Sequence, residues 1–303
     1  MFDTVIIGAG PTGLTAAIYA SRRMMKALVI SKNVGGQVIW ASEIKNYPGV
    51  EFIRGPELIN KMSKQVKDLG VAIKIAEVKK ISKNSDGIFT IEAGEANYQA
   101  KTVIIAMGLE PKQLNLAKEN EFTGKGISYC ANCDGPLFKD KTVAVVGGGN
   151  AALDAAEVLS KIAKQVYLVY RKDKFRGFES LAAQVQNKSN INILLNSEVS
   201  QLMGEKKLTG IKVKNMVDQA EKEVEVEGLF VEIGHKPKTE AVSDIVETDT
   251  LGQVIVDLNC QTSQAGIFAA GDVTQTEFKQ IIVGCGQGAV AALAAYKYLQ
   301  SKK

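Results

Sequence analysis

Short apolar runs alternate with a glycine-rich turn and a helical pattern in the first part of the chain. Residues 4–7 form an apolar run that predicts a buried strand, and the glycine-rich residues 8–13 predict a tight turn. Residues 14–21 continue with a helical pattern, and residues 27–30 supply another apolar run. This order of strand, turn, helix and strand is typical of a βαβ unit.

The same order returns in the middle of the chain. Residues 142–146 predict a second buried strand, and residues 147–152 predict a second glycine turn that opens a helix through Ala163. Residues 166–169 supply the next strand. Because each part has its own strand, turn and helix, the repetition predicts two separate α/β units.

Apolar runs at residues 103–106 and 229–233 close the two units. Each run is followed within a few residues by a proline, Pro111 in the first case and Pro237 in the second. The glycine and proline that follow each run make residues 108–111 and 234–238 candidate hinges.

The C-terminal segment is too short for a third domain. It predicts a strand at residues 253–256 and a helix over residues 288–299, and we expect it to complete the first domain. The predicted fold class is therefore α/β, with two Rossmann-like domains of the three-layer ββα type. Residues 1–110 and 239–303 form the discontinuous first domain, and residues 111–238 form the inserted second one.

Composition and charge exclude several classes of protein. The chain has 303 residues, of which 46% are hydrophobic, and a net charge of +4 from 37 basic and 33 acidic side chains. Such a balance, without a basic stripe, does not indicate nucleic-acid binding. The N-terminus lacks the features of a signal peptide, and no apolar stretch is long enough to span a membrane. We expect a cytoplasmic protein.

The first glycine turn has the composition of a dinucleotide site. Glycines there let the backbone approach a pyrophosphate, whose charge the helix N-terminus receives. The acid expected after the next strand to bind an adenosine ribose is absent, and Ser31 lies in its place. The candidate cofactor-binding residues of this turn are Gly8, Gly10, Pro11, Thr12 and Gly13.

The second glycine turn is followed by a basic segment. An acid after residues 166–169 would accept the ribose 2′-hydroxyl of NAD, but residues 170–176 carry cations, which suit the 2′-phosphate of NADP. The alternative is a solvated basic surface. The candidate residues for the nicotinamide nucleotide are Gly147, Gly149, Asn150, Ala151, Arg171, Lys172 and Arg176.

Cys130 and Cys133 form a CxxC pair between the two glycine turns, with Asp134 directly after it. Four cysteines, of which only two are close in sequence, do not suit the disulfide framework of a secreted protein, so the pair indicates redox chemistry or a metal. A structural zinc site needs four ligands. The remaining candidate ligands are isolated in the sequence: Cys260, Cys285 and His235.

Several motifs occur together in one order along the chain. They are GAGPTG at the N-terminus, GGQ at residues 35–37, NYPG at 46–49, CANCDG, GGGNAA, the basic segment ending in Arg176, and AAGDV followed by Lys279 and Gln280. With these motifs the chain resembles low-molecular-weight thioredoxin reductases over nearly its full length. The resemblance implies FAD in the first domain, NADPH in the second, a redox-active disulfide, thioredoxin or a thioredoxin-like protein as partner, and a homodimer.

The resemblance also implies roles for particular residues. Cys133 is the sulfur next to the flavin, and Cys130 is the nucleophile that attacks the partner's disulfide. Asp134 is the candidate general acid/base because it adjoins the dithiol, although it could instead only cap a helix. The residues implied to bind FAD, besides the first glycine turn, are Ser31, Gly35, Gly36, Gln37, Asn46, Gly108, Gly271, Asp272, Lys279, Gln280 and Ile281.

One departure from the family pattern leaves the electron donor open. The family's basic segment usually begins HRR, whereas Tyr170, Arg171 and Lys172 stand here. Relatives without that motif are thought to take electrons from ferredoxin or a reduced deazaflavin, which remains the alternative to NADPH. A non-catalytic redox sensor is a further alternative, and lost phosphate-binding glycines or a broken CxxC would favour it.

Overall fold

A computed structural model of the chain describes residues 1–41 and 44–302, apart from the side chains of Trp40 and Cys133. The chain divides into two compact units. The first comprises residues 1–39, 43–110 and 236–303, and the second comprises residues 40–42 and 111–235.

Helices and strands alternate in the first part of each unit, and a run of consecutive strands follows. The helices are α1 (Pro11–Arg22), α2 (Gly55–Asp68), α3 (Glu119–Phe122), α4 (Ala131–Asp134), α5 (Asn150–Ser160), α6 (Glu179–Gln186) and α7 (Ile281–Gln300). The strands up to the second glycine turn are β1 (Phe2–Ala9), β2 (Ala27–Val34), β3 (Ala72–Ile75), β4 (Val78–Lys83), β5 (Phe89–Ala93), β6 (Ala96–Ile105), β7 (Leu109–Pro111), β8 (Ile127–Ser128) and β9 (Thr142–Val146). The strands after it are β10 (Gln165–Val169), β11 (Ile191–Leu194), β12 (Ser197–Met203), β13 (Gly210–Asn215), β14 (Glu221–Glu225), β15 (Gly228–Val231), β16 (His235–Pro237) and β17 (Ile267–Ala269). None of the helices in the described part of the chain is long and apolar enough to cross a membrane.

The sheet of the first unit has the order β3-β2-β1-β6-β5-β4, and β17 also pairs with β6. The long strand β6 makes this possible because its two halves have different partners. Ala100 and the residues before it pair antiparallel with β5, whereas Val103, Ile104 and Ile105 pair in parallel with β17. These three residues are fully buried, as expected of a strand covered on both faces.

Helices α1 and α7 cover one face of this sheet. They pack closely because small residues line their contact. A Cβ added at Gly288 of α7 would collide with the carbonyl oxygen of Thr12, at the start of α1. The apolar residues of the opposite face, including Phe89 and Val254, form the core beneath β4, β5 and the segment before β17. Helix, parallel sheet and antiparallel strands therefore form three layers.

The second unit repeats this three-layer plan. Its parallel sheet has the order β11-β10-β9-β15-β8, and β12, β13 and β14 form a separate antiparallel sheet. Side chains of β9 alternate between the faces: Val143 and Val145 pack with α5, whereas Ala144 and Val146 pack against the antiparallel sheet. The predicted α/β fold class with two Rossmann-like units is thus confirmed.

Four local expectations differ from the structure. Residues 253–256 form no strand, because Val254 makes only isolated bridges, with Thr248 and Thr274. The C-terminal helix begins at Ile281 rather than Gly288, and α5 ends at Ser160 rather than Ala163. The chain returns to the first unit at residue 236, three residues before the expected boundary at 239.

Candidate functional site

The first glycine turn joins β1 to α1. Gly10 is the N-cap residue of α1, and Pro11 lies in the first helical turn, where its missing N–H costs no hydrogen bond. A Cβ added at Gly13 would collide with the carbonyl oxygen of Gly8, so only glycine lets the helix approach the strand so closely. No described side chain lies within 4 Å of a Cβ built at Gly10. This space before the helix N-terminus fits a pyrophosphate.

A second segment brings the N-terminus of α7 to the same turn. Thr12 lies between Gly271 and Gly284, since a Cβ added at either glycine would come within 2.5 Å of the Thr12 hydroxyl oxygen. The Gly271 N–H donates to the Gln287 side-chain oxygen at 2.8 Å. Two helix N-termini therefore converge here, an arrangement that favours an anionic ligand.

The Asp272 carboxylate, in the loop before α7, accepts no hydrogen bond from any residue that the structure describes. The Lys279 ammonium donates to the backbone carbonyls of Asp272, at 3.0 Å, and Thr274, at 2.7 Å. Burial raises the pKa of Asp272, and Lys279 partly offsets this. A half-buried carboxylate with unused acceptor capacity, next to two helix N-termini, fits the hydroxyl groups of a flavin ribityl chain.

The other residues expected to bind FAD border the same turn. The Gly35 N–H donates to the carbonyl of Ala9 at 2.8 Å, and the Asn46 side-chain amide donates to the Gln280 side-chain oxygen at 3.1 Å. The structure therefore brings these separate parts of the sequence together in the first unit. Of the other expected residues, Ser31 lies in β2, Gly108 lies between β6 and β7, and Ile281 begins α7. The Gln37 side-chain amide donates to the carbonyl of Leu109 at 2.8 Å.

The second glycine turn joins β9 to α5 in the second unit. Gly147 has a φ of +144°, and a Cβ there would collide with the carbonyl oxygen of Glu232. Gly149 is the N-cap residue of α5, and a Cβ built on it meets no described atom within 4 Å. Ala151 is exposed in the first turn of the helix. The helix N-terminus is therefore accessible and fits a second pyrophosphate.

The basic segment after β10 is fastened to this turn. The backbone N–H groups of Arg176 and Gly177 donate to the carbonyl of Gly148 at 2.7 and 3.2 Å. The Phe178 N–H donates to the Asn150 side-chain oxygen at 2.7 Å. These bonds hold the cations beside the place where a pyrophosphate would bind.

The cations of this segment are exposed and unpaired. Arg171, Lys172 and Arg176 form no salt bridge with any residue that the structure describes. Tyr170 is buried below them, where its ring stacks on Phe175 with centroids 5.7 Å apart. Its hydroxyl has no hydrogen-bond partner among the described atoms. The arrangement can bind a phosphate on the ribose, because the three cations are available to it.

The dithiol segment begins at Cys130, which is the N-cap residue of α4 and is disulfide-bonded. Cys133 belongs to α4, but its side chain lies outside the described residues. Cys260 and Cys285 are buried free thiols, and burial raises the pKa of both. Among the described residues, no group of three or more His, Cys, Asp or Glu side chains could hold a metal ion.

Asp134 is oriented by a serine that sequence reasoning missed. The Ser128 hydroxyl donates to the Asp134 carboxylate at 2.6 Å, and the same oxygen accepts the Cys130 N–H at 3.1 Å. Asp134 is the N-cap residue of the 3-10 helix Gly135–Phe138, but its side chain makes no capping hydrogen bond there. Its carboxylate is fixed instead next to the start of the CxxC segment.

Glu232 is a second residue that sequence reasoning missed. It follows β15 directly, and its side-chain oxygen accepts the Ala131 N–H at 3.4 Å. Burial raises the pKa of Glu232 to about 7, and the negative charge of Asp154 adds to this effect. A signal existed in the sequence, since Glu232 is an acid at the carboxyl end of an otherwise apolar run, the usual place for ligands in α/β sheets.

Comparison with known proteins identifies the family. The family model for pyridine nucleotide-disulphide oxidoreductases matches residues 2–293. The chain belongs to this family. The thioredoxin reductase of Listeria monocytogenes is 38% identical over 305 residues, which cover 100% of this chain and 95% of that protein. The thioredoxin reductase of Mycolicibacterium smegmatis is 37% identical over 300 residues, which cover 98% of this chain and 96% of that one.

A solved structure of another family member is also similar over the whole chain. The thioredoxin reductase of Lactococcus lactis, in its FR conformation, matches with a TM-score of 0.81 and 36% identity and covers 99% of this chain and 100% of that one. The resemblance read from the motifs and the assignment as an oxidoreductase are therefore confirmed.

Proposed function

We propose that the protein is a thioredoxin-disulfide reductase that passes electrons from NADPH, through FAD and a Cys130–Cys133 disulfide, to thioredoxin or a thioredoxin-like protein. The observation that carries the proposal is the disulfide-bonded Cys130 beside a fixed acid, Asp134, in the unit that also has a glycine turn with exposed cations. The thioredoxin reductases among its relatives support the same activity.

Each unit has a role in this proposal. Residues 1–110 and 239–303 form the FAD-binding domain, supported by the two converging helix N-termini and the available carboxylate of Asp272. Residues 111–238 form the NADPH-binding domain, supported by the accessible N-terminus of α5 and the unpaired cations next to it. FAD, when bound, supplies the two-electron chemistry that connects a nicotinamide to a disulfide.

The side chains of the CxxC segment have separate roles in the reduction of the disulfide. Reduction breaks the S–S bond, adds two electrons and needs a proton on one sulfur. Asp134 is the proton donor and acceptor, because Ser128 holds its carboxylate next to Cys130. By resemblance to the family, Cys133 would take the electrons that the flavin supplies, and Cys130 would attack the partner's disulfide as a thiolate.

The family resemblance supports two further proposals. The protein acts as a homodimer, and it works in the cytoplasm, where a reducing environment keeps a catalytic dithiol in turnover. We expect no nucleic-acid or membrane partner.

An anaerobic titration of the flavin tests the function. NADPH should bleach the flavin absorbance at a lower concentration than NADH does, and the enzyme should then reduce thioredoxin. The variant Cys133→Ser should still be bleached by NADPH but should not reduce thioredoxin. Bleaching by reduced ferredoxin or a reduced deazaflavin, and by neither nicotinamide, would reject NADPH as donor and leave the role of the dithiol in place.

A further inference from the structure

Glu232 contacts both the glycine turn and the CxxC segment of the second unit. Its backbone carbonyl packs against Gly147 of the glycine turn, and its side-chain oxygen accepts the N–H of Ala131, the residue after Cys130. The carboxyl oxygen is 3.4 Å from that nitrogen, which places it within about 6 Å of the Cys130 Cα. The sulfur of Cys130 is then at most about 9 Å away, a distance comparable to the screening length of about 8 Å at physiological salt.

The charge that acts on Glu232 is negative and comes from Asp154 of α5. Asp134 of α4 is held by Ser128 next to Cys130. The turn after β9 contributes backbone only, through Gly147. Among the described residues, no Lys or Arg forms a salt bridge with Glu232. A thiolate formed on Cys130 would therefore add a second negative charge near Glu232, where no salt bridge from a described residue offsets it.

We propose that Glu232 is a positioning residue of the dithiol, whose carboxyl takes up a proton when the disulfide is reduced and so offsets the new charge beside Cys130. The inference rests on the proposed function, because it assumes that the Cys130–Cys133 disulfide is reduced during turnover. It assigns Glu232 no contact with the reacting sulfur atoms.

Reduction of the disulfide requires two electrons and, with Glu232 included, two protons. Two electrons from the reductant break the S–S bond, one proton binds to one sulfur, and the other sulfur remains a thiolate. A second proton, from solvent, binds to the Glu232 carboxylate. Burial raises the pKa of this carboxyl to about 7, so the group is close to half-protonated at neutral pH and a nearby charge shifts its occupancy efficiently.

The test measures alkylation of Cys130 by iodoacetamide at several pH values. The full-length protein is reduced chemically, and the modified peptide is quantified by mass spectrometry. The variant Glu232→Gln keeps an oxygen that can accept the Ala131 N–H and removes the charge. At pH 8 the variant should react about two- to threefold faster than the wild type, because a thiolate without a neighbouring carboxylate forms more readily. At pH 5.5, where Glu232 is protonated in the wild type, the two rates should agree.

The controls separate the charge effect from a change of structure. Glu227→Gln, an exposed residue just before β15, should match the wild type at both pH values. Asp154→Asn removes a negative charge that acts on Glu232 and so should lower the pKa of that carboxyl. In the Asp154→Asn background, the effect of Glu232→Gln on the alkylation rate should therefore begin at a lower pH. Equal rates at pH 8, or the same ratio of rates at both pH values, would overturn the proposal. Because the reductant is chemical, these results do not depend on NADPH, FAD or thioredoxin.

Discussion

The hydroxyl of Ser128 donates a hydrogen bond to the carboxylate of Asp134 at 2.6 Å, across the turn that contains the CxxC pair. The same hydroxyl oxygen accepts the N–H of Cys130 at 3.1 Å. One side chain therefore fixes the direction of the acid and the start of the dithiol segment at the same time. Its position suggests that the acid must be held in one orientation for proton transfer, because catalytic proton transfer depends on geometry as much as on acidity.

Replacing Ser128 by alanine should slow the reaction without weakening NADPH binding. We expect kcat for thioredoxin reduction to fall about tenfold, a part of the 10²- to 10⁴-fold that a positioned acid or base contributes. KM for NADPH should not change, because the hydrogen bonds of the Ser128 hydroxyl within the described part of the chain go to Cys130 and Asp134 rather than to the second glycine turn. Steady-state kinetics give both values. Ser200→Ala, whose hydroxyl donates to a backbone carbonyl in the antiparallel sheet, is the matched control, and an unchanged kcat in Ser128→Ala would show that Asp134 needs no orientation.

The glycine turns could be predicted from the sequence because their signals are local. The apolar run, the glycines and the helical pattern follow one another directly, and the structure has β1 and α1 in the expected order. The roles of Ser128 and Glu232 could not be predicted in this way. Ser128 acts through a turn, and Glu232 acts through a residue 101 positions away. The apolar run before Glu232 marks a place where ligands bind in α/β sheets, but it does not show that the side chain lies beside the CxxC segment.

The strand expected at residues 253–256 was wrong for a different physical reason. Valines at every second position indicate that one side of the segment is buried, and Val254 is indeed fully buried in the core of the first unit. Burial does not supply a ladder of backbone partners, however, and Val254 makes isolated bridges only. Alternation alone therefore does not distinguish a strand from an extended segment that packs on a sheet.

Gly13→Ala should abolish flavin binding. The added Cβ would collide with the backbone carbonyl of Gly8, so α1 must move away from β1 and its N-terminus must leave the cofactor's phosphate. We expect the purified variant to contain less than about a tenth of the flavin of the wild type, since a shifted helix N-terminus loses several hydrogen bonds to charged oxygens. The ratio of flavin to protein absorbance measures this. Gly286→Ala, where an added Cβ meets no described atom within 4 Å, should keep its full flavin content.

The exposed cations after β10 should set the preference for NADPH over NADH. Replacing Arg176 by alanine should remove the charge-assisted hydrogen bond proposed for the 2′-phosphate, worth about 1.5–3 kcal/mol, and so raise KM for NADPH about ten- to hundredfold. KM for NADH should stay nearly constant, because that cofactor has no 2′-phosphate. Lys206→Ala removes another exposed cation of the same unit and should change neither value at constant ionic strength. A parallel loss with both cofactors would mean that Arg176 supports the fold of the loop rather than phosphate recognition.

Glu232 should make the stability of the oxidised protein depend on pH. Burial raises its pKa from 4.5 to about 7, so the folded state binds a proton more tightly than the unfolded state does. The resulting stability is fully present below about pH 4.5 and is lost as the pH rises through about 7, where a buried carboxylate must form. Glu232→Gln should therefore exceed the wild type in unfolding free energy by about 3 kcal/mol at pH 8.5 and match it at pH 4.5.

Thermal unfolding followed by circular dichroism at the two pH values measures this difference, with Glu227→Gln as the exposed control. A gain of about 3 kcal/mol corresponds to a rise of several degrees in the unfolding midpoint of a chain of this size. A gain of the same size at both pH values would assign the effect to packing of the glutamine. A gain confined to the alkaline side assigns it to the charge of Glu232, the same charge that acts on the dithiol in the alkylation experiment.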